Sequence, residues 1–271
     1  MDYALLDSGG GQKLEKFGPF TLIRPATQAV WRPSLPAALW KKADARFSRE
    51  EGNRWEDYAP IPEQWIVTVE GVRFKLKRTD FGHIGFFPEH AQFWSWIKSQ
   101  ASECRILNLF AYSGGATLAM AQAGASSVCH VDGSKGMVQW ARENAALNKL
   151  EKAPIRWIVD DVQKYLTRAV RREEKYEGII LDPPTFGRGS TQEIFKIERD
   201  LPQLLSLCVS LLSERARFLL LTCHTPNHTP LVLHHLLKEA TDKKRGKIEY
   251  GELTLGDSFL LPSGSFAKWT S

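Results

Sequence analysis

The sequence has few of the features that mark secreted, zinc-binding or membrane-spanning proteins. Its four cysteines, at positions 104, 129, 208 and 223, show none of the paired spacings of a zinc site or a disulfide framework. They fit a reducing compartment, and they predict no metal site. No apolar run approaches the roughly 18 residues of a membrane span, and the start lacks the basic and apolar segments of a secretory leader. We therefore expect a cytoplasmic protein.

Composition sets broad limits on the fold and its partners. The 271 residues (30.7 kDa) are 43% hydrophobic and 25% charged, which is ordinary for a globular protein of one large domain or one and a half. We find neither an internal repeat nor a low-complexity tract. A net charge of +5 and a pI near 9.0 are compatible with a polyanionic partner, although many basic proteins bind no nucleic acid.

The most informative segment runs from Leu107 to Gly115. An apolar stretch ends there in the small-residue turn Ser113-Gly114-Gly115, and an apolar helical pattern follows at once. A second apolar run ends in Asp132, 18 residues after Gly114. In a doubly wound sheet this arrangement presents a cofactor that contains a nucleoside. The glycines let the backbone approach the ligand, and the acid accepts hydrogen bonds from ribose hydroxyls.

Two further apolar runs end in acids, one in Asp160-Asp161 and one in Asp182-Pro183-Pro184. Because parallel strands end at the same sheet edge, we expect these acids and the glycine turn to form one crevice. The turn lacks the Gly-x-Gly-x-x-Gly pattern that a dinucleotide pyrophosphate needs, and Tyr112 adds bulk there. S-adenosylmethionine has no pyrophosphate, so the pattern favours methyl transfer over hydride transfer.

Strand and helix patterns alternate from residue 105 onward, which predicts an α/β fold with a doubly wound, Rossmann-like parallel sheet. The predicted strands are Arg105–Phe110, Ser127–Asp132, Ile155–Asp160, Glu177–Asp182 and Arg217–Cys223. The predicted helices, after one that includes Phe93 to Ile97, are Ala116–Ala123, Ser134–Asn148, Val162–Arg172, Glu193–Leu212 and Thr229–Thr241. Tyr250–Leu255 and Ser258–Leu261 predict a terminal hairpin.

The first 60 residues are punctuated by glycine and proline and predict irregular chain with short β pieces such as Phe20 to Arg24. Trp65 to Lys77 predicts a hairpin that turns at Glu70-Gly71. We therefore predict a small β-rich N-terminal subdomain over residues 1–85, which could contact RNA. A methyltransferase domain is predicted over residues 86–271.

The motifs resemble those of the class I S-adenosylmethionine-dependent RNA methyltransferases. They are most similar to the group that includes the bacterial large-subunit rRNA cytosine-5 methyltransferase and its guanine-N7 relatives. The resemblance covers about Trp65 to the C-terminus and rests on His83 to Phe87, Leu107 to Gly115, Val131 to Ser134, Asn144 to Asn148, Asp160 to Val162 and Asp182 to Phe186. It implies an S-adenosylmethionine cofactor and an RNA partner, rRNA foremost. We expect no membrane partner, because no apolar run is long enough to span a membrane. The motifs do not specify the base.

The resemblance also implies roles for single residues. Ser113, Gly114 and Gly115 would cradle the methionine end of the cofactor, and Asp132 would hold its ribose. Asp161 with Val162 would bracket the adenine. Asp182 would face the amino-acid moiety or the reacting centre, and it is a predicted catalytic residue. The full predicted cofactor-binding set is Phe110, Ala111, Ser113, Gly114, Gly115, Asp132, Gly133, Ser134, Asp161, Val162, Asp182 and Pro183.

The chain departs from this family pattern in two places. Relatives often carry Asp-Gln-Arg after the paired aromatics, whereas this chain has Pro88-Glu89-His90. His90 is therefore a candidate substitute for an arginine at the methionine carboxylate. The N-terminal PUA RNA-binding domain of some relatives has no counterpart here, so we expect another surface to select the target.

Cys223 ends the fifth predicted strand and should lie at the same edge as Asp182. Carbon 5 of cytosine becomes nucleophilic only after a thiolate adds to carbon 6, so methylation there needs a cysteine beside the cofactor. Relatives that make 5-methylcytosine have a cysteine at the matching position. We therefore favour Cys223 as a catalytic nucleophile. The alternative is a buried structural cysteine, as we expect for Cys104, Cys129 and Cys208.

Other acceptors remain open at this point. Asp182-Pro183-Pro184-Thr185-Phe186 also resembles the guanine-N7 branch, which needs no cysteine. Enzymes that methylate exocyclic amines carry an aromatic residue directly after the prolines, where this chain has Thr185. A protein or small-molecule acceptor and a non-catalytic RNA-binding module are further hypotheses.

The sequence indicates the RNA contacts less clearly than the cofactor site. Basic residues cluster after the last predicted helix, at Lys238, Lys243, Lys244, Arg245 and Lys247, and line one hairpin strand, at Arg73, Lys75, Lys77 and Arg78. Such clusters more often form ordinary solvent-exposed surface than a nucleic-acid binding site. Most of the six tryptophans before residue 100 are expected in the core, with one or two exposed rings as candidates for base stacking.

Overall fold

The computed structural model describes residues 2–50, 52–188, 194–257 and 259–271, without the side chains of Arg188 and Ile194. The chain forms two compact units, residues 1–92 with 254–262 and residues 93–253 with 263–271. The domain boundary predicted at residue 85 stays a prediction, and the units divide between Gln92 and Phe93. Among the described residues, no helix has the length and apolar character needed to cross a membrane.

The first unit is built on a five-stranded sheet. Its strands, in spatial as well as sequence order, are β1 (Tyr3–Gly9), β2 (Gln12–Phe17), β3 (Phe20–Pro25), β4 (Ala45–Ser48) and β5 (Arg54–Asp57). Strands β3 and β4 are parallel and the other neighbours are antiparallel. The predicted β-rich character of the N-terminal part is therefore confirmed, including the β piece Phe20 to Arg24 within β3, whereas the expectation that most of residues 1–60 would be irregular was wrong. Several of the glycines that suggested it are turn residues: Gly10 and Gly11 join β1 to β2 with φ of 59° and 76°.

The hairpin predicted from Trp65 to Lys77 is confirmed. It consists of β6 (Trp65–Val69) and β7 (Val72–Leu76), which pair antiparallel. Glu70 and Gly71 turn the chain with φ of 49° and 78°, the left-handed conformation that a two-residue hairpin favours. The same unit contains a short helix, α1 (Ala37–Trp40), and all but the last residue of a 3₁₀ turn at Pro88–Phe93 that includes His90.

The second unit confirms the α/β fold with its doubly wound sheet. Five parallel strands lie in the order β10-β9-β8-β11-β14, and β16 extends the sheet antiparallel to β14, with β15 at the edge. The strands are β8 (Arg105–Leu109), β9 (Ser127–Asp132), β10 (Ile155–Val159), β11 (Gly178–Leu181), β14 (Phe218–Cys223), β15 (Lys247–Leu255) and β16 (Leu261–Thr270). The helices are α2 (Trp94–Ala101), α3 (Gly115–Gln122), α4 (Lys135–Leu147), α5 (Val162–Arg171), α6 (Ile197–Leu211) and α7 (Pro230–Ala240).

Helices cover both faces of this sheet, as the β/α alternation predicts. On one face α5, α6 and α7 contribute Leu166, Leu205 and Leu237 to an apolar core that includes Leu107 of β8. The next residue of β8 points to the other face, because side chains alternate along a strand. There the side-chain amide of Asn108 donates to Thr117 Oγ1 of α3 at 2.8 Å.

Three predicted boundaries differ from the structure by three residues or more. Strand β15 begins at Lys247, three residues before the predicted Tyr250. Of the predicted strand Ser258–Leu261, Ser258 lies outside the described residues, and Phe259 and Leu260 are not in a strand. Strand β16 instead runs from Leu261 to Thr270, where alternate residues are buried along its second half. Helix α6 begins at Ile197, and Glu193, the predicted start, lies outside the described residues. The residues just before this helix form β13 (Ile194–Lys196), which pairs antiparallel with β12 (Phe186–Arg188).

Candidate active site

The loop after β8 has an unusual backbone. Phe110, Tyr112 and Gly114 have φ of 54°, 49° and 92°, so three residues within five are in the left-handed region. Phe110 and Tyr112 carry β-carbons and are disfavoured there. Hydrogen bonds hold the loop in place: the Ala111 amide donates to the Val131 carbonyl at 3.1 Å and the Gly114 amide to the Ala111 carbonyl at 3.0 Å. Strained backbone of this kind clusters at functional sites.

Asp132, at the end of β9, joins this loop to the neighbouring strand. Its two carboxylate oxygens accept hydrogen bonds from the backbone amides of Tyr112, at 2.9 Å, and Ser134, at 2.8 Å. Burial raises the pKa of Asp132, and the two amide bonds partly oppose that rise. On the far side of Asp132, its carbonyl accepts the Asp160 amide at 3.0 Å, which ties in the end of β10. The structure thus brings the ends of three strands together around Asp132.

Asn144 supports the loop from below. It is fully buried on α4, and its side-chain amide donates to the Ser113 carbonyl at 3.0 Å. Ser113 is itself buried, and Gly114 packs closely on the same helix, since a β-carbon there would lie 3.1 Å from Ala141 Cβ. Asn144 is not among the site residues predicted from the sequence. Its position could have indicated a role, because Asn144 is a polar residue on the otherwise apolar, buried face of α4.

Two predicted site residues act as helix caps. Asp161 Oδ1 accepts the Lys164 amide at 2.9 Å at the start of α5, and Ser134 Oγ accepts the Met137 amide at 3.4 Å at the start of α4. Val162 is buried, whereas Gly133, directly after β9, is exposed. Asp160, beside Asp161, forms an ion pair with Arg168. Capping uses one carboxylate oxygen of Asp161.

Asp182 lies just after β11 and is held by residues of the next strand. Thr222 Oγ1 donates to Asp182 Oδ1 at 2.7 Å, and His224 Nε2 lies 3.5 Å from the same oxygen. The other imidazole nitrogen of His224 lies 2.7 Å from the Ser263 carbonyl. Pro183 is buried beside Asp182. Asp182 is therefore a partly exposed carboxylate in a polar cluster at the carboxyl edge of the sheet.

Cys223 ends β14 at this edge, as predicted, but its side chain belongs to the core. It is 1% exposed, and its sulfur accepts the Thr225 amide at 3.4 Å. Burial raises the pKa of the Cys223 thiol, the Thr225 hydrogen bond lowers it, and the negative charge of Asp182 raises it again; the net direction is upward. The neutral thiol is therefore the resting form. Cys104, Cys129 and Cys208 are buried too, as expected.

The residues predicted to meet RNA have mixed environments. The cluster in the last turn of α7 and after it is largely exposed: Lys238, Lys243, Arg245 and Lys247 face solvent, and Lys244 is partly buried. On β7 and just after it Arg73 is exposed, Lys75 and Lys77 are partly buried, and Arg78 forms an ion pair with Asp57. The tryptophans before residue 100 are buried or partly buried: Trp31, Trp40, Trp55, Trp65, Trp94 and Trp96.

Comparison with known proteins identifies the family. The family model described as S-adenosylmethionine-dependent methyltransferase matches residues 13–220, more than half of the chain. The chain belongs to this family. The methyltransferase uses S-adenosylmethionine, and one structural neighbour was solved in complex with SAH, at 22% identity and a TM-score of 0.76, over 99% of this chain and 75% of that one. At that identity the likeness shows the fold alone.

Nearer relatives lie among both curated proteins and solved structures. A ribosomal RNA large subunit methyltransferase K/L from Shewanella baltica is 34% identical over 186 residues, which make up 66% of this chain and 26% of the relative. A SAM-dependent methyltransferase from Agrobacterium tumefaciens is 38% identical with a TM-score of 0.95, and covers 100% of this chain and 90% of its own. The methyltransferase spans about a quarter of the length of the curated relatives it matches.

The residues at the sheet edge fit S-adenosylmethionine. The nucleoside part of the cofactor needs a hydrogen-bond acceptor for its ribose, and Asp132 is a half-buried carboxylate at a strand end. The methionine part needs a loop that the ligand can approach, and the backbone around Gly114 turns sharply there. The first helical residue after the turn is Gly115, so the amino end of α3 points into this loop.

Proposed function

We propose that the methyltransferase transfers a methyl group from S-adenosylmethionine to a base of large-subunit ribosomal RNA. The observation that carries this proposal is the similarity to relatives named as ribosomal RNA large subunit methyltransferases, at 34% identity over two thirds of the chain. The basic surface after α7 and the net charge of +5 agree with a polyanionic substrate.

Bound S-adenosylmethionine supplies an electrophilic methyl group on a positively charged sulfur. We assign its ribose to Asp132, its adenine to Asp161 and Val162, and its methionine part to the loop from Phe110 to Gly115. The Asp132 carboxylate supports this assignment, because each of its oxygens accepts one backbone amide and has a further lone pair that can accept a ribose hydroxyl. Gly133, Ser134 and Pro183 complete the proposed surroundings of the cofactor.

We favour a ring nitrogen as the methyl acceptor, specifically N7 of guanine. N7 carries a lone pair and no proton, so the reaction needs neither a base nor a covalent nucleophile. The methylated purine acquires the positive charge that the sulfur loses. Asp182, a partly exposed carboxylate oriented by Thr222, would stabilise that charge.

Carbon 5 of cytosine is the second candidate, and the place of Cys223 at the end of β14 favours it. The Thr225 amide that donates to the sulfur would stabilise a thiolate. Burial of the Cys223 side chain and the raised pKa of its thiol argue against methylation at carbon 5. A nucleophilic Cys223 would have to become both exposed and ionised when RNA binds.

The test uses S-adenosylmethionine with an isotopically labelled methyl group, unmodified large-subunit rRNA, and identification of the labelled nucleoside by mass spectrometry. We expect 7-methylguanosine, formed equally well by wild type and by Cys223→Ala. Cys208→Ala, a core cysteine removed in the same way, controls for lost packing. Labelled 5-methylcytidine that disappears in Cys223→Ala alone would instead establish the cysteine mechanism. Labelling of protein or small molecules in RNase-treated extract, without labelled RNA, would contradict the proposal.

A further inference from the structure

The short hairpin formed by β12 and β13 has two different faces. Directly opposed residues of an antiparallel pair share a face, and neighbouring residues on one strand lie on opposite faces. Phe186 is paired with Lys196, whereas Phe195 is paired with Gly187. The pair Phe186 and Lys196 therefore lies on one face, and Phe195 lies on the other.

The Phe195 face fastens the hairpin to the cofactor loop. Phe195 is partly buried against the core, and its ring centroid lies 5.9 Å from that of Phe110. The hairpin is also tied at its base, where the Ile197 amide donates to the Thr185 carbonyl at 3.2 Å and the Lys196 amide to Asp200 Oδ2 at 2.8 Å. The hairpin is thus held at its base by Thr185 and Asp200, and on its Phe195 face by the loop that we assign to the cofactor.

The opposite face is exposed and combines an aromatic ring with a positive charge. Phe186 is 72% exposed, although a phenylalanine is ordinarily among the more buried residues, and Lys196 is exposed beside it. Phe186 follows Asp182 by four residues, so their Cα atoms are at most about 14 Å apart. Rings that stack on bases and cations that pair with phosphates are the two elements of single-strand nucleic-acid binding.

We propose that Phe186 and Lys196 bind an unpaired nucleotide next to the one that is methylated, with Phe186 stacked on its base and Lys196 paired with its phosphate. This inference rests on the proposed RNA substrate. The flanking nucleotide, rather than the target, is the occupant because the face that packs on Phe110 of the cofactor loop is the other one. The methylated base must reach the cofactor. The ring of Phe186 lies on the opposite face of the hairpin, so we expect it to contact the base of the adjacent nucleotide.

The first experiment measures methyl transfer to unmodified large-subunit rRNA as a function of RNA concentration. Phe186→Leu removes the aromatic ring, and we expect KM for RNA to rise about 5- to 150-fold, the range of one lost stacking interaction. The rate at saturating RNA should stay close to that of wild type. Phe186→Trp should restore KM. Phe81→Leu is the matched control, since Phe81 is 73% exposed in the first unit.

Binding without turnover gives a second readout. Stacking quenches the fluorescence of a single-stranded oligoribonucleotide that contains 2-aminopurine, and we expect Phe186→Leu to weaken the quenching. Lys196→Gln should reduce the slope of log affinity against log salt by about 1, the value for one phosphate contact, and Lys196→Arg should retain it.

The outcomes separate this inference from the proposed function. If wild type methylates RNA and Phe186→Leu has an unchanged KM and unchanged quenching, the stacking assignment is wrong while the RNA substrate stands. A lower saturating rate at unchanged KM would overturn the flanking position and assign the ring to the target base. If wild type neither methylates RNA nor quenches the probe, both proposals fail.

Discussion

The backbone amide of Tyr112 donates a hydrogen bond of 2.9 Å to Asp132 Oδ2, across 20 residues of sequence. This bond joins the strained loop after β8 to the end of β9, which are neighbouring parallel strands. The carboxylate proposed to hold the cofactor's ribose therefore also helps to hold the loop proposed for its methionine part. Removing the carboxylate should affect both.

We predict that Asp132→Ala weakens S-adenosylmethionine binding by at least about 10-fold, since one lost hydrogen bond to a charged group costs about 1.5–3 kcal/mol. Isothermal titration calorimetry measures the affinity, and circular dichroism verifies the fold. Glu177→Ala is the control, because Glu177 also accepts a backbone amide, that of Arg105, but at the amino end of β8. Equal affinity for wild type and Asp132→Ala would remove Asp132 from the cofactor site.

Cofactor binding should depend on pH through Asp132. Burial raises the pKa of this carboxyl above its ordinary value of 3.8. The ionised form accepts ribose hydroxyls better, so affinity should fall as pH drops through the raised pKa, beginning above pH 3.8. Without cofactor the folded state holds the proton more tightly than the unfolded state, so the contribution of Asp132 to stability declines as pH rises through that window. The cofactor affinity of Asp132→Asn should not show this decrease at low pH over the same pH series. An identical decrease in Asp132→Asn would mean that another group causes it.

Gly114→Ala should destabilise the methyltransferase by about 2–5 kcal/mol. An alanine with positive φ costs about 1–2 kcal/mol, and overpacking against Ala141 adds about 1–3 kcal/mol. Gly124→Ala is the matched control, since Gly124 has a similar φ of 80° but nothing within 4 Å of an added β-carbon. Urea denaturation measures both. Similar losses in the two variants would mean that α4 moves aside at no cost.

His130 should make the stability of the second unit depend on pH. It is fully buried, and burial lowers the pKa of His130 from 6.5 to about 3. Below pH 6.5 His130 is protonated in the unfolded chain but stays neutral in the folded protein. The contribution of His130 to the free energy of unfolding is therefore lost as pH falls. Between pH 7.5 and 5.5 the loss is about 1.4 kcal/mol from an unfolded pKa near 6.5. His130→Gln should flatten the curve, whereas His235→Gln, an exposed control, should leave it unchanged. Parallel curves for wild type and His130→Gln would disprove this account.

The parts of the fold that were predicted correctly depend on local patterns. Apolar runs that end in acids or glycines marked β8, β9, β10 and β11 to within a residue or two, because strand length and turn residues are read from neighbouring positions. In residues 1–60 the β-rich character was predicted, but the pairing of the pieces into one five-stranded sheet was not. Glycine and proline mark chain reversals equally well in loops and between short strands, and only pairing partners distinguish the two.

The sequence by itself determined the family, the cofactor and the residues that end each central strand, since these follow from the types and spacings of a few side chains. Only the tertiary structure decided what those side chains can do. Burial within the core raises the pKa of Cys223, capping occupies one oxygen of Asp161, and Phe186 is exposed because its hairpin packs through Phe195. Exposure and proton affinity depend on neighbours from distant parts of the chain, and those neighbours are assembled only on folding.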